Sequence, residues 1–578
     1  MALTPADPIT CQTLISTLEP QMADSYAASS LEDEIDQPPG TFKSIRSQAT
    51  RSWIVVLGWL TIIPPGDETY EQGKRFIALD PIPSSDPNEP LNWSWFRKAV
   101  NFSIVLGITI VILTAVSIQA IFWQQMALDM DGTLTDLNKA SSVNFVGLAT
   151  GCILFIPFAE KYGRRPVYIV SVALMLATSF WLSQMTSLTE LYVANLLQGL
   201  AGATNEAIAE VTIADLFFVH HRGTMNGFYM ACVMIGNFLT PMAAGAQATT
   251  HGWRSSYRTM GIFNAGLLVL FLLIYEETKY VPLFTGKSNP TFEEGNSDQD
   301  KKNALDRIES ASDLPSLKRT RSLHFLDLTI PTRSWRERLA LITPTSEPIW
   351  PYFYRPFCVL LFPAVAFAAL QYAAGIVWLT VNTSVLSLAL PEPPYLFSPA
   401  EIGYTGAGPL IGNIIGAVYG GFISDRSILH DAKTKHGLLR ARDAAVHIAC
   451  AGYCYGGWTY HGMHWIWPTI AGSLFGFGLG SISDAVLVLV MDSYREIAGE
   501  AFTAVAFVRN AVNIGIPFVI SPWIQRNGVQ NIFITCGSVS LAVTGMIIPM
   551  IIWGKSARRA LAARYHDLEA EHGHAGPQ

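Results

Sequence analysis

Ala99–Leu128 reads AVNFSIVLGITIVILTAVSIQAIFWQQMAL and holds no Asp, Glu, Lys or Arg. A bilayer core asks for about 20 consecutive, mainly apolar residues per helix. A soluble core helix is shorter and keeps a polar outer face. The same freedom from charge returns in Pro166–Thr189, Gly223–Trp253, Pro356–Pro391, Ile402–Ser424, Ala444–Ser483 and Asn527–Gly554. The pattern predicts an all-α integral membrane protein with many spans.

Composition agrees. Of 578 residues, 50% are apolar and 14% charged, against about 25% charged in soluble domains. Mean hydropathy is +0.30. The net charge of −7 is spread over tails and loops, and no basic patch with interleaved aromatics points to nucleic acid. Six of the seven cysteines, Cys152, Cys232, Cys358, Cys450, Cys454 and Cys536, fall in apolar runs without metal spacing. They read as small buried hydrophobes. No metal or cofactor is expected, and no signal peptide, because residues 1–50 are acidic and polar.

Twelve spans are predicted at 99–121, 141–159, 166–187, 191–214, 223–246, 257–275, 357–381, 402–424, 443–462, 465–491, 501–523 and 529–553. The long run from Ala444 is divided at His461-Gly-Met-His464, a polar, turn-like island. Lysines and arginines gather in alternate loops: Arg97 and Lys98; Lys161, Arg164 and Arg165; Arg222; Arg426 to Arg442; Arg495; Lys555 to Arg559. The positive-inside rule then puts both termini in the cytoplasm. The domains follow: a tail over 1–98, six spans over 99–275, a central loop over 276–355, six spans over 356–553 and a tail over 554–578. Ser288–Arg321 in the central loop is polar and poor in aromatics, a composition expected to be disordered. Trp53–Ile63 is apolar but too short to span. Six plus six is the layout of a transporter built from two repeated halves, with substrate held near mid-membrane between them.

Three stretches carry chemistry. Between spans two and three lies Ala159-Glu160-Lys161-Tyr162-Gly163-Arg164-Arg165-Pro166, with a half-copy, Gly421-Phe-Ile-Ser-Asp425-Arg426, after span eight. A carboxylate at such a helix end can receive a helix N-terminus or an arginine from a neighbouring helix. In span five, Gly227, Gly236, Pro241 and Gly245 set small residues and a helix breaker along one helix, which favours close packing and a kink. In span four, Asn205, Glu206 and Glu210 place two carboxylates one turn apart inside the membrane. An intramembrane carboxylate is a functional candidate by default. Asp484 in span ten and Arg509 in span eleven are expected to pair with each other or to take part in a gate or in the substrate site, and Asn205 is expected near substrate. Gln371 and Tyr372 in span seven are expected near substrate, and Asn382-Thr-Ser384 is a glycosylation sequon at that span's outer end.

These stretches resemble the major facilitator superfamily. The first is similar to its loop signature G-x-x-x-D-R-x-G-R-R, with Glu160 in place of the aspartate, Lys161 in place of the first basic residue and Ile156 in place of the leading glycine. The second resembles the antiporter signature G-x8-G-x3-G-P-x2-G-G, with Thr240 and Ala244 at two glycine positions. Asn195-Leu-Leu-Gln198-Gly199-Leu-Ala-Gly202 resembles R-x-x-Q-G-x-G, with Asn195 where the family's proton-linked arginine stands. Asp86-Pro-Asn-Glu-Pro-Leu-Asn-Trp-Ser, Thr212 to Phe218 and Glu276-Glu-Thr-Lys279-Tyr look like its fungal branch.

The resemblance implies a major facilitator fold of 12 transmembrane helices in two six-helix bundles, of the drug:proton antiporter type. It implies a secondary transporter, not an enzyme, exporting a drug-like compound, toxin or secondary metabolite by alternating access. Substrate, protons and lipid would be its partners, and it would sit as a monomer in the plasma membrane. Glu160, Gly163, Arg164, Arg165, Asp425 and Arg426 would control the conformational switch. Proton-coupled uptake of an organic cation such as a polyamine is the alternative, and a non-transporting membrane sensor a second one. His461 and His464 read as turn residues, and no Walker-type G-x-x-x-x-G-K-[ST] segment offers a nucleotide site.

Overall fold

The structure is a computed structural model that describes residues 86–280, 331–343, 348–393, 395–416, 419, 464–494 and 497–565. Among them there is no strand. The first half consists of α1 Trp95–Ile118, α2 Leu134–Tyr162, α3 Arg164–Leu182, α4 Leu188–Leu216, α5 Val219–Met234, α6 Thr240–His251 and α7 Trp253–Leu273. The second consists of α8 Trp350–Val359, α9 Pro363–Ala389, α10 Pro399–Tyr404 with a continuation at 407–416, α11 Ile466–Ser493, α12 Ala498–Ile514, α13 Ile516–Gly545 and α14 Ile547–Ala560. Seven described segments are long and apolar enough to cross a membrane, the first being Trp95–Asp129. The expected span at 443–462, the Trp53–Ile63 stretch, Ser288–Arg321, Asp425 and Arg426 lie outside the described residues.

Local chemistry sets the helix ends. Thr133 caps α2 by accepting from the Asp136 N–H at 3.2 Å, and Ser187 caps α4 by accepting from Glu190 at 3.3 Å. The first span begins earlier than the hydropathy suggests, at Trp95, because buried Lys98 finds a partner: its Nζ donates to the Leu91 carbonyl at 2.8 Å. Before the seventh span the chain makes a separate helix, α8, and Pro363 then opens α9 at a position where its missing N–H costs nothing. Gly528, at φ 72°, turns the chain inside the stretch Ile516–Gly545 and separates spans eleven and twelve.

Each half has its own apolar core. Phe122, Trp123, Tyr168, Phe217 and Phe271 are buried in the first, and Phe362, Phe475, Tyr494 and Phe533 in the second. The same device tightens both: backbones crossing at small residues. A methyl on Gly147 of α2 would sit 2.7 Å from the Leu200 nitrogen of α4, and one on Gly412 would sit 2.6 Å from the Ser473 carbonyl carbon of α11. A third, smaller cluster joins the halves, with Phe145, Leu148, Cys152 and Ile156 of α2 against Ala506 of α12. Outward faces carry large exposed apolar side chains, among them Ile262, Phe263 and Leu273 on α7, as lipid-facing helices do.

Among the described residues, α2 meets the second half toward both of its ends. At the end far from the Gly163 loop, Asn138 Nδ2 donates to the Pro517 carbonyl at 2.7 Å, and Ser384 Oγ donates to Asn138 Oδ1 at 3.4 Å. Nearer that loop, α8 lies across the seam: Tyr352 and Phe357 sit with Pro157 of α2 and Phe507 of α12 around a narrow apolar crevice. The rings of Phe357 and Phe507 meet edge-on at 5.3 Å.

Candidate functional site

Glu206 projects from α4 toward the second half. Its Oε2 is ion-paired with the Arg509 guanidinium of α12 and accepts a 2.7 Å hydrogen bond from Asn510 Nδ2. Arg509 also lies over Tyr372, with its guanidinium carbon 5.1 Å from the ring centroid. Asn510 Nδ2 reaches Cys152 Sγ of α2 at 3.8 Å, and Thr109 Oγ1 of α1 donates to Asn205 Oδ1 at 3.0 Å. Five helices thus meet at one buried polar point. The carboxylate and guanidinium side chains are 13% and 10% exposed. Removing a single partner from such a pair leaves an uncompensated buried charge.

Of the residues singled out in the sequence, the structure brings Asn205, Glu206, Tyr372 and Arg509 together at this point. Arg509 pairs with Glu206; the side chain of Asp484, its other expected partner, lies outside the described residues. Glu210 shares the Glu206 face and has no hydrogen bond or ion pair among the described residues. Gln371 is buried with its Oε1 unpartnered. Asn382 is corrected as a modification site: it is 4% exposed inside α9, where its amide cannot meet a glycosylating enzyme. Tyr229 of α5, Asn510 and Asn513 of α12, and Cys152 were missed. A lone tyrosine, asparagine or cysteine in an apolar run carries no signal until its neighbours are known.

The Gly163 loop is a second polar centre. Here the carboxylate on the helix N-terminus is Glu277, from the segment after α7, and not Glu160. Its two oxygens accept from the backbone N–H groups of Arg164 at 2.8 Å and Arg165 at 3.0 Å, opening α3. Glu160 instead pairs with the Arg164 guanidinium at 3.0 Å, and Asp215 of α4 lies 3.4 Å from the same side chain. Gly163 has φ 113°, and a side chain there would lie inside the Glu277 carboxylate. Lys279 Nζ donates to the carbonyls of Glu160 at 2.5 Å and Lys161 at 2.9 Å, and Arg165 donates to the carbonyls of Leu272 and Leu339. Arg97 forks onto Glu276. The Leu339 contact, with Thr343 N–H donating to Tyr162 at 2.9 Å, docks part of the central segment onto the first half. At Ser334 that segment carries a capping box, and the hydroxyl and N–H there hold the Glu337 carboxyl below its ordinary value.

The third feature is the α5–α6 helix. It passes through one π turn, Ile235–Leu239, before Pro241. Thr240 Oγ1 serves the Gly236 carbonyl at 2.8 Å and meets Thr114 Oγ1 of α1 at 2.7 Å. Gly236 and Gly245 are crossing points: a methyl on the first would lie 2.8 Å from the Ile110 carbonyl oxygen of α1, and on the second 2.6 Å from that of Pro399 in the other half. Gly227 has nothing within 4 Å and takes no part in a crossing.

The model of the Major Facilitator Superfamily matches residues 104–517. Protein HOL1 of Saccharomyces cerevisiae is 26% identical over 576 residues, covering 91% of this chain and 96% of that one. The multidrug transporter TPO1_2 of Candida glabrata is 25% identical over 494 residues, covering 82% and 78%. Among solved structures, the xylose transporter XylE of E. coli superposes with a TM-score of 0.52 at 11% identity, over 78% of this chain and 98% of that one. At that identity the likeness is one of fold.

Proposed function

The chain belongs to the major facilitator superfamily and is therefore a multi-pass membrane transporter and not an enzyme; from that premise we propose that it exports a small organic molecule by alternating access, with protons moving the opposite way. The cargo is a drug-like compound, toxin or secondary metabolite. The observation that carries this reading is the Glu206–Arg509 pair, which joins the two halves at a buried point between them. Two bundles that rock against each other must make and break their polar contacts across the seam, and a carboxylate there can release its arginine when it takes a proton. The fungal multidrug relative supports a drug-like cargo. The crossing of Gly245 with Pro399 supports a role for α6 in sealing one end.

In this reading the monomeric protein lies in the plasma membrane, both termini face the cytoplasm, and the Gly163 loop is at the cytoplasmic end. Glu160, Gly163, Arg164 and Arg165 with Asp425 and Arg426 steer the switch, and Asn205, Glu206, Glu210, Gln371, Tyr372, Asp484 and Arg509 line the path. One observation favours a second reading, proton-coupled uptake of an organic cation such as a polyamine: Asn195 occupies the position of the proton-linked arginine.

Proteoliposomes with an imposed pH gradient test both. A panel of an azole, a fluorescent cationic dye and spermidine is offered, and export predicts that one of them moves against the proton flow. Movement with the protons establishes uptake instead. Glu206→Gln is expected to reach the membrane and lose the proton dependence; normal proton-linked transport by that variant removes Glu206 from the mechanism.

A further inference from the structure

Glu206 is occupied, and its neighbour is not. Glu210 follows one turn later on α4, on the same face and partly exposed. It lies within electrostatic reach of Arg509 and of the Tyr229 and Tyr372 rings. Among the described residues it has no counter-ion. A second observation points to a ligand at the same seam. Asn513, one turn beyond Arg509 on α12 and on the same face, is 0% exposed, and neither its Oδ1 nor its Nδ2 has a partner. A buried amide with every bond unmade is costly unless something visits it.

We propose that Glu210 docks the cationic group of the transported molecule, and that Arg509 is an internal competitor that withholds Glu206 from it. This rests on reading the seam between the halves as the substrate path. The Arg509 guanidinium already shows what the cation subsite accepts: a carboxylate at one side and the face of Tyr372 at the other. Glu210 sets a second carboxylate one turn along the same face, within electrostatic reach of the Tyr229 and Tyr372 phenols. α4 and α12 run in opposite directions here. Glu210 is therefore displaced from the ion pair toward the Gly163 loop, and Asn513 away from it. Four residues of rise on each helix separate them by roughly 12 Å along the seam. The cargo that fits is two-ended: an amine at Glu210, an aromatic or apolar middle against Tyr229 and Tyr372, and a neutral hydrogen-bonding group at Asn513. Breaking the Glu206–Arg509 pair is a cost that a cation seeking both carboxylates must meet, so the arginine sets affinity without touching cargo.

The test uses the full chain in lipid nanodiscs, with procainamide as the two-ended amine and its neutral analogue lacking the amino arm as control. Glu210→Gln is expected to weaken procainamide binding at least about tenfold and to leave the control unchanged. Asn513→Ala should weaken both ligands about threefold. Arg509→Ala should tighten procainamide about tenfold, because a competing internal state is removed, while Arg509→Lys restores the ordinary affinity. Should Arg509→Ala fail to fold, the Glu206→Gln/Arg509→Ala double variant has neither charge of the pair and is expected to bind procainamide at least as tightly as the parent. Unchanged binding in Glu210→Gln, weaker binding in a folded variant lacking Arg509, or no preference for the amine over its neutral analogue each overturns the proposal. Proton-linked movement of a neutral azole alongside any of those results leaves the export reading standing, whereas failure of every panel compound to move defeats that reading by itself.

Discussion

The polar centre at the Gly163 loop and the one at Glu206 use the same residue types and differ in what they join. Around the loop, Glu160, Asp215, Glu276 and Glu277 meet Arg97, Arg164, Arg165 and Lys279, drawn from the first half and the segments that flank it. At mid-seam, a single carboxylate from one half meets a single arginine and asparagine from the other. The first network has many redundant bonds and, among the described residues, none to the second half, so it steers the switch by bracing the first half as one rocking body. The second has three bonds and crosses between bundles, so any rocking motion must strain it. Redundancy marks a part that holds shape; a lone buried pair across a boundary marks a part that changes state.

The largest effect should come from the crossing pair. Arg509→Ala strands a buried carboxylate, expected to cost about 3–5 kcal/mol and to abolish transport; thermal unfolding and vesicle flux measure the two. Exchanging the charges, Glu206→Arg with Arg509→Glu, should recover most of the stability. Parent-like unfolding in Arg509→Ala would mean the pair is a surface-like contact and the contrast is false.

Next come single breaks in the brace. Gly163→Ala forces a side chain into a glycine-only backbone region, at a cost of about 1–3 kcal/mol. Glu277→Gln removes the charge from the α3 N-terminus and should cost about 1–2 kcal/mol. Both should speed amide exchange at Arg164 and Arg165 and reduce transport only severalfold. If either one stops transport while the fold survives, the loop centre is a moving part and not a brace.

A smaller contrast lies along the α5–α6 helix. Gly245→Leu should force α6 away from Pro399, lowering both flux and unfolding temperature, whereas Gly227→Ala should change neither, since nothing lies within 4 Å of it. Equal effects from the two would remove the distinction drawn from their packing.

The smallest effect is expected at the docked central segment. The Glu337 carboxyl is held below its ordinary value of 4.5 by Ser334. A depressed carboxyl stabilises the folded segment above its ordinary value, and the contribution fades as pH falls through the lowered one. Proteolysis at 331–343 should therefore quicken modestly on acidification below about pH 4, and Glu337→Ala should remove that dependence.

Much of this was legible in the chain. Charge-free runs announced helices in lipid, Pro241 announced an irregular helix, and Glu206 stood out because a carboxylate in an apolar span is costly wherever it falls. Of the two partners open to Glu160, a helix N-terminus or an arginine, the structure shows the arginine; the α3 N-terminus goes to Glu277, which no local pattern could name because it lies 113 residues from Arg164. Its side chain arrives only through the stacking of α7 on α3. Asn510 and Asn513 were invisible for a related reason: an amide in an apolar run is ordinary until its surroundings leave it unsatisfied.

The sequence alone determined which segments are long and apolar enough to cross a membrane, since the preference of a segment for lipid is nearly a sum over its own residues. It also determined that costly carboxylates sit in the fourth span. Only the tertiary structure decided that Glu206 is answered by the other half, with Asn510 standing 304 residues away in the chain, and that Glu210 has no counter-ion among the described residues. Desolvation of a charge is a local cost, but its compensation depends on which distant side chain packing brings within reach.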